Sequence, residues 1–513
     1  MRKNLERQPN INIYNAYKAG LFGHQHSDAE AEKMGLELKS YHDAQRGFVE
    51  FCSIIGGRVL YAMHEGSALV TPWPVDRKLV DYMAKIWSIS PETLTMVGFD
   101  HGNIVEDLPA MILDDTEKMD QLRTWVNVQN GLPVVVPRTT TAETVEIAKE
   151  LGVAHIPKIP NIPAFHGRQI IRGLYPTSGY IESHPAELNN SKVDNFVLLQ
   201  QLDAQMGTEF SPKGGVAESI EEVVALIDQL INQGCQVLIK ADLAVDGLGN
   251  IKVEKFNGRN FIDLSHLEKV DYVTKILSGV VPVGRKARVV VSEFLDTKIY
   301  DPSVEVFSPP LEWGLEPQIY YDCGMIIKGG FQGSIVGDPV DAADMADIPM
   351  LGKHNIPGVL VEKKSEYRRL MVRAKEMVMA FSKVKWGEGY VGISDCDLAI
   401  CLGKDGKLSV KILEFNFNRE TGGTAPYHIG QRLSQDLSQP GYVVARDAIG
   451  KGHWSDFGKI QRWAEDNNID YLKHREGLLV LGSRPDGGMM SLVFSPTLKG
   501  ALHWDLLLKE LTS

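Results

Sequence analysis

The chain lacks the signatures that most often identify a nucleotide-using or hydrolytic enzyme. It has no G-x-x-x-x-G-K-[ST] loop, no G-x-G-x-x-G opening a helix, no G-x-S-x-G elbow and no H-E-x-x-H pair. P-loop, dinucleotide-binding, serine-hydrolase and zincin chemistry therefore lose their sequence support. No apolar run reaches about 18 residues, the least that reads as a membrane-spanning helix, and the opening MRKNLERQPNINIYNAYK holds no apolar stretch of the kind that directs secretion. Excess positive charge is also missing. The 54 Lys and Arg face 66 Asp and Glu, a formal net charge of −12, so no field gathers nucleic acid or anionic lipid, and neither is an expected partner. The small group Arg368, Arg369 and Arg373 reads as a solvated helix face. Cysteine is sparse. Five of them (Cys52, Cys235, Cys323, Cys396, Cys401) lie scattered without metal spacing, and the odd count argues against a disulfide framework and for a reducing cytoplasm.

What is present is ordinary globular text, too long at 513 residues for one core, and the length prior points to roughly three domains. Up to about residue 185, short β-rich runs alternate with helical patterns. The clearest unit is LPVVVPRTTTAETVEIAKELGVAHIP, a strand, a Thr-rich N-cap, an amphipathic helix near 142–151 and a stop at Gly152. Such units build parallel sheets, so an α/β N-terminal domain is expected over 1–185. A second region over 186–430 mixes strands and helices as two α+β lobes. The segment 431–513 holds a helix near 455–467 and the hairpin LLVLGSRPDGGMMSLVF, and is expected to complete or cover the active site.

The most informative local feature is the hairpin around Lys404-Asp405-Gly406-Lys407. Asp-Gly favours a two-residue type I′ turn, which would set Lys404 against Lys407, Asp397 against Glu414 and Asp395 against Asn416. Alternation then puts all four of these outer residues on one face, with Asn418 continuing it. Opposed carboxylates with Cβ atoms roughly 5 Å apart destabilise a sheet unless a cation reverses the sign. Oxygen-only donors from Asp397, Glu414 and Asn416, completed by water and phosphate oxygens, suit magnesium. The bland account is a solvated outer face whose acids prevent aggregation.

A second feature is Lys240 in QVLIKADLAVDGLGNIKV, on a strand just before a loop carrying Gly247 and Gly249. Glycines let backbone N–H groups approach phosphate oxygens, and a strand lysine supplies a point charge. Most such loops are plain hairpin turns.

The order of Lys192 in NNSKVDNFVLLQQL, Lys240 before its glycine loop, Glu293 in VVVSEFL, Asp397, then Glu414-Phe-Asn416 ahead of Arg419 and TGGT resembles the ATP-grasp ligases over 185–430. The flanking text ALVTPWPVDRKLVDYMAKIWSISPETLTMVGF and TTTAETVEIAKELGV resembles the pre-ATP-grasp region of the pheganomycin peptide ligase branch, which makes peptide bonds. The resemblance implies that Lys192 and Lys240 contact ATP phosphates. It implies that Glu293, Phe294 and Leu295 form a hinge whose backbone bonds the adenine edge, and that Glu305 in SVEVF is a polar partner for phosphate or for the second lysine. It also implies that Asp397, Glu414 and Asn416 bind magnesium, or manganese in its place, and that Arg419 stabilises the transferring phosphoryl group. The family reads E-x-N-x-R, whereas EFNFNR sets Arg419 one residue later, so Asn416 and Asn418 are both candidates for the third ligand.

The implied reaction is ATP-dependent joining of a carboxylate, an amino acid or related small acid, to an amine through an acyl phosphate. The implied partners are these small molecules, and a homodimer is compatible. A small-molecule kinase and a carboxylate-thiol ligase remain as alternatives on the same fold, and a non-catalytic nucleotide-binding protein as one of another class. His24 and His26 in GHQHSD could chelate a metal but read better as solvated loop residues. Cys396 alternates away from Asp397 into the core. Asp322 and Lys328, in QIYYDCGMIIKGG, could line a pocket but read better as surface loop.

Overall fold

The computed structural model describes residues 10–13, 60, 66–71, 75–99, 108–129, 133–137, 142–155, 191–242, 250–278, 288–309, 311, 314–327, 331–417, 423–437, 441–449, 457–483 and 489–512. The first sheet is wholly parallel. It comprises β1 (Asn10–Ile13), β2 (Ala68–Thr71), β3 (Thr95–Gly98), β4 (Val134–Pro137) and β5 (Ala154–His155), in the order β3-β2-β1-β4-β5. Helices lie between its strands in sequence and pack on it, and Ile11, Ile13, Val70, Val97 and Val135 are buried in the core they share. The helix Ala142–Leu151 has the bounds that the spacing predicts. Arg77–Trp87 begins where the Asp76 side chain accepts the Lys78 N–H and ends where Ser88 turns left-handed at φ 52°.

A second sheet is built of β6 (Gly214–Ala217), β7 (Gln236–Ala241), β8 (Asn250–Lys252) and β9 (Val289–Phe294), in the order β6-β9-β7-β8. Its own core includes Val223, Ile227, Val237, Ile239, Tyr272 and Val291. Two Ser-capped helices, Lys192–Met206 after Ser191 and Ile220–Asn232 after Ser219, accompany it.

The third sheet runs through β10 (Lys298–Ser308), β11 (Gln318–Ile327), β12 (Phe331–Val336), β13 (Gly392–Leu402), β14 (Leu408–Phe417), β15 (Tyr442–Ile449), β16 (Gly477–Ser483) and β17 (Met489–Ser495). The eight described strands follow the order β14-β13-β10-β11-β12-β15-β17-β16. Segment 431–513 thus contributes three strands to the sheet that carries the hairpin acids. The β12–β15 junction is tight. Gly333, at φ +153°, lies so near β15 that a Cβ there would stand 2.0 Å from the Ala445 carbonyl oxygen. Asp322 lies within β11, paired with Val304, and not in a loop; its carboxylate accepts from Lys375 at 2.6 Å.

One face of this sheet packs on the helix Lys364–Gly387, whose buried residues Tyr367, Met371, Ala374, Val378 and Phe381 recur at intervals of three and four. Phe381 stacks on Phe415 at 3.7 Å between centroids, and Phe417 lies beyond. Alternation along β14 then turns Glu414 and Asn416 to the other face. Among the described residues no helix is long and apolar enough to cross a membrane.

Candidate active site

The acids meet as the hairpin pattern predicts, but by a different route. The turn is longer than the two-residue form. Gly403 donates to the Lys407 carbonyl at 2.9 Å, so Gly403, not Lys404, opposes Lys407, and Gly406 adopts φ +75°. From Leu402↔Leu408 to Leu398↔Ile412 the strands therefore run one residue out of the expected register. A β-bulge between Asp397 and Leu398 inserts Leu413 as an extra residue, and beyond it Asp397 faces Glu414 and Asp395 faces Asn416. The bulge also changes which residues are interior: Leu408, Val410 and Ile412 are buried before it, Phe415 and Phe417 after it.

β10 extends the two rows. Ser303 faces Asp397 and Glu305 faces Asp395, while across β11 Cys323 faces Ser303 and Tyr321 faces Glu305. The Ser303 hydroxyl donates to Asp395, and the Tyr321 hydroxyl donates to Glu305 at 2.9 Å. The Asn416 amide donates to Asp395 at 3.2 Å and Asp397 at 3.4 Å. Glu305, Asp395 and Asn416 are all buried. Cys396 is buried on the opposite face, as alternation predicts.

Two lysines arrive, one from the helix Lys192–Met206 and one from the four-stranded sheet. Lys192, the first residue of its helix, places Nζ 3.1 Å from Glu414 Oε1. Lys240, near the end of β7, donates to the carbonyl of Leu413 at 3.0 Å. Burial pushes the Lys240 ammonium down to about 8, against the pull of the Glu414 and Asp397 carboxylates in the other direction. A cleft joins them, lined also by Asn195, Phe196, Ser292 and Phe415. The cleft thus brings two cations beside the Glu414 carboxylate.

Glu293 and Phe294 end β9, Leu295 follows it, and the chain enters β10 at Lys298. They lie at the junction of the two sheets. The Glu293 carboxylate accepts the Lys213 N–H at 2.9 Å, and its own N–H donates to the Lys213 carbonyl at 2.8 Å. Gly247, Gly249, Asn418 and Arg419 lie outside the described residues, as do His24, His26 and Lys328. Among the described residues no group of three or more His, Cys, Asp or Glu is placed to hold a metal. A cation here would rest on Asp397 and Glu414, hard oxygen donors that fit magnesium when phosphate oxygens complete the shell, whereas Asn416 turns its amide N–H, not its oxygen, to Asp395 and Asp397.

Sequence reasoning passed over Ser303, Tyr321, Asp395 and the Leu413 carbonyl as parts of the site. The adjacent Ile412-Leu413, a break in an otherwise alternating strand, is the one local sign of the bulge. The pairing of β10 with β13 joins residues far apart in the chain and leaves no local sign.

Residues 56–153 match the family described as the Pre ATP-grasp domain. No curated protein matches the chain. Among solved structures, biotin carboxylase from Campylobacter jejuni in a beta-gamma-ATP complex is similar over 96% of this chain and 89% of that one, at 10% identity and a TM-score of 0.46. N5-carboxyaminoimidazole synthetase from Staphylococcus aureus, complexed with ADP, is similar over 98% of this chain and 96% of that one, at 11% identity and a TM-score of 0.44. At these TM-scores neither likeness decides a reaction or a substrate.

Proposed function

We propose that the chain is an ATP-dependent ligase of the ATP-grasp type, which joins the carboxylate of an amino acid or related small acid to an amine. One observation carries the reading: Lys192 and Lys240 converge on Leu413 and Glu414 of β14, at the register pair Asp397↔Glu414. The match of residues 56–153 to the Pre ATP-grasp domain supports it, as does the ordered resemblance of 185–430 to the ATP-grasp ligases.

In the proposed reaction a carboxylate oxygen of the acid attacks the γ-phosphorus of ATP. The bond from that phosphorus to the β,γ-bridging oxygen breaks, and ADP leaves. The amine nitrogen then attacks the acyl carbon of the acyl phosphate, inorganic phosphate leaves, and the nitrogen gives its proton to water. Lys192 and Lys240 bind and neutralise the phosphates, with Gly247 and Gly249 as the further phosphate contacts that the resemblance implies. Arg419 steadies the transferring phosphoryl group. The Glu293–Leu295 backbone receives the adenine edge. Asp397, Glu414 and the oxygen of Asn416 or Asn418 would hold magnesium, which supplies charge neutralisation at the phosphates when bound. Positioning and electrostatics do most of the work in such a transfer.

The test is a screen for ADP release over amino acids taken singly and in pairs. Productive pairs should yield ADP and phosphate, and hydroxylamine in place of the amine should trap a hydroxamate only when ATP and magnesium are present. Release of AMP and pyrophosphate would refute the mechanism.

A further inference from the structure

We infer that Asp242 is a positioning residue that sets the distance between the two phosphate-facing lysines, an inference that rests on the function proposed above. Lys240 stands on β7, and Asp242 follows it by two residues, at the start of the segment that holds Gly247 and Gly249. The Asp242 carboxylate turns back to the helix that carries the other lysine. Its Oδ1 accepts the Ser191 hydroxyl at 2.7 Å and the Val193 N–H at 3.0 Å, while its backbone carbonyl accepts the Lys192 N–H at 3.0 Å. Three hydrogen bonds from one residue thus hold the three residues around Lys192.

The usual partner of a helix N-terminus is its own N-cap side chain. Ser191 fills that role here for the Asp194 N–H at 3.0 Å, while Asp242 takes the two N–H groups before it, those of Lys192 and Val193. The start of the helix is thus capped jointly by its own serine and by the residue that follows β7, which links the two elements. Arg288 braces Asp242, with one guanidinium nitrogen 3.7 Å from Asp242 Oδ2 and another bonded to Asp194. The consequence is geometric. The Lys192 and Lys240 side chains leave a rigidly joined base and reach neighbouring residues of β14, Glu414 and Leu413. A phosphate chain that must touch both ammonium groups depends on that spacing, and adenosine, which has no phosphate, does not.

The experiment compares the affinities of ADP with magnesium and of adenosine for the full chain and for Asp242→Ala and Asp242→Asn. Asn keeps an oxygen that accepts from Ser191 and Val193 but loses the charge that faces Arg288. Asp242→Ala should weaken ADP by at least about tenfold, the loss expected when one lysine–phosphate contact is displaced, and leave adenosine within about twofold, with Asp242→Asn restoring most of the ADP affinity. Equal losses for ADP and adenosine would mean a role in folding alone and would overturn the inference, as would an unchanged ADP affinity in Asp242→Ala. Failure of the unsubstituted chain to bind ADP would overturn the proposed function itself, and the inference with it. Should Asp242→Ala not fold, Ser191→Ala, which removes one donor to the same carboxylate, provides the second reading with the same expected split.

Discussion

Lys240 of β7 reaches across to the carbonyl of Leu413, the one residue of β14 that the ladder with β13 leaves over. A bulge frees that carbonyl from regular strand pairing, and the buried ammonium takes it. The contact ties the four-stranded sheet to the eight-stranded one at the point where phosphates are proposed to bind.

Nucleotide affinity should depend on pH through Lys240. Burial depresses its proton affinity to about 8, and a bound phosphate would raise it again. ADP affinity should therefore be level below pH 8 and fall by up to about tenfold per pH unit above it, because binding must then take up a proton. The same group makes the free folded chain gain stability as pH rises from about 8 towards 10.5, since the unfolded state holds the proton longer. Calorimetry across pH 6.5 to 9.5 with Lys240→Ala as the reference checks this, and the substituted chain should show a flat profile and at least tenfold weaker binding.

Asp397→Asn and Glu414→Gln should both abolish turnover, yet they should separate in a thermal melt. Replacing Asp397 relieves repulsion from the facing Glu414, so the melting temperature should hold or rise. Replacing Glu414 strips Lys192, itself buried, of its carboxylate partner, so the melting temperature should fall. Wild-type activity of either variant at limiting magnesium would remove the metal assignment.

Phe415→Ala should cost about 3–5 kcal/mol, the usual range for emptying a buried aromatic site. Phe415 stacks on Phe381 and turns Glu414 outward from the core. Urea unfolding should show the loss of stability, and turnover at low temperature should fall with it, because the strand that carries Glu414 and Asn416 loses its anchor.

Gly333→Ala should destabilise the chain by about 1–3 kcal/mol or more, the range for forcing atoms into a filled space. Its Cβ has no room beside Ala445 and its φ suits glycine. Hydrogen exchange should rise first along β12 and β15.

The helices and the sheet order differ in how far the sequence reveals them. Ala142–Leu151 and the long helix Lys364–Gly387 repeat their apolar residues locally, so periodicity finds them. The facing of Asp397 and Glu414 follows from the Asp-Gly turn only because two departures cancel: the turn is one residue longer, and the bulge at Leu413 restores the register. The partnership of β12 with β15, and of Lys192 with Glu414, joins residues far apart in the chain. No local pattern encodes such pairs, because hydrophobic alternation says which side of a strand is buried and not which strand lies beside it.

The unbroken run of strands from β14 through β12 to β15, β17 and β16 has a consequence for handling the protein. A chain cut near residue 431 would not simply lose a cover. It would leave β12, with the text FQGSIV and neither lysine nor proline to guard it, as an open sheet edge whose unmet N–H and C=O groups invite pairing with another molecule. Such a fragment would be recovered as aggregate, so dissection of this protein must proceed by point substitution, with every strand of the sheet left in place.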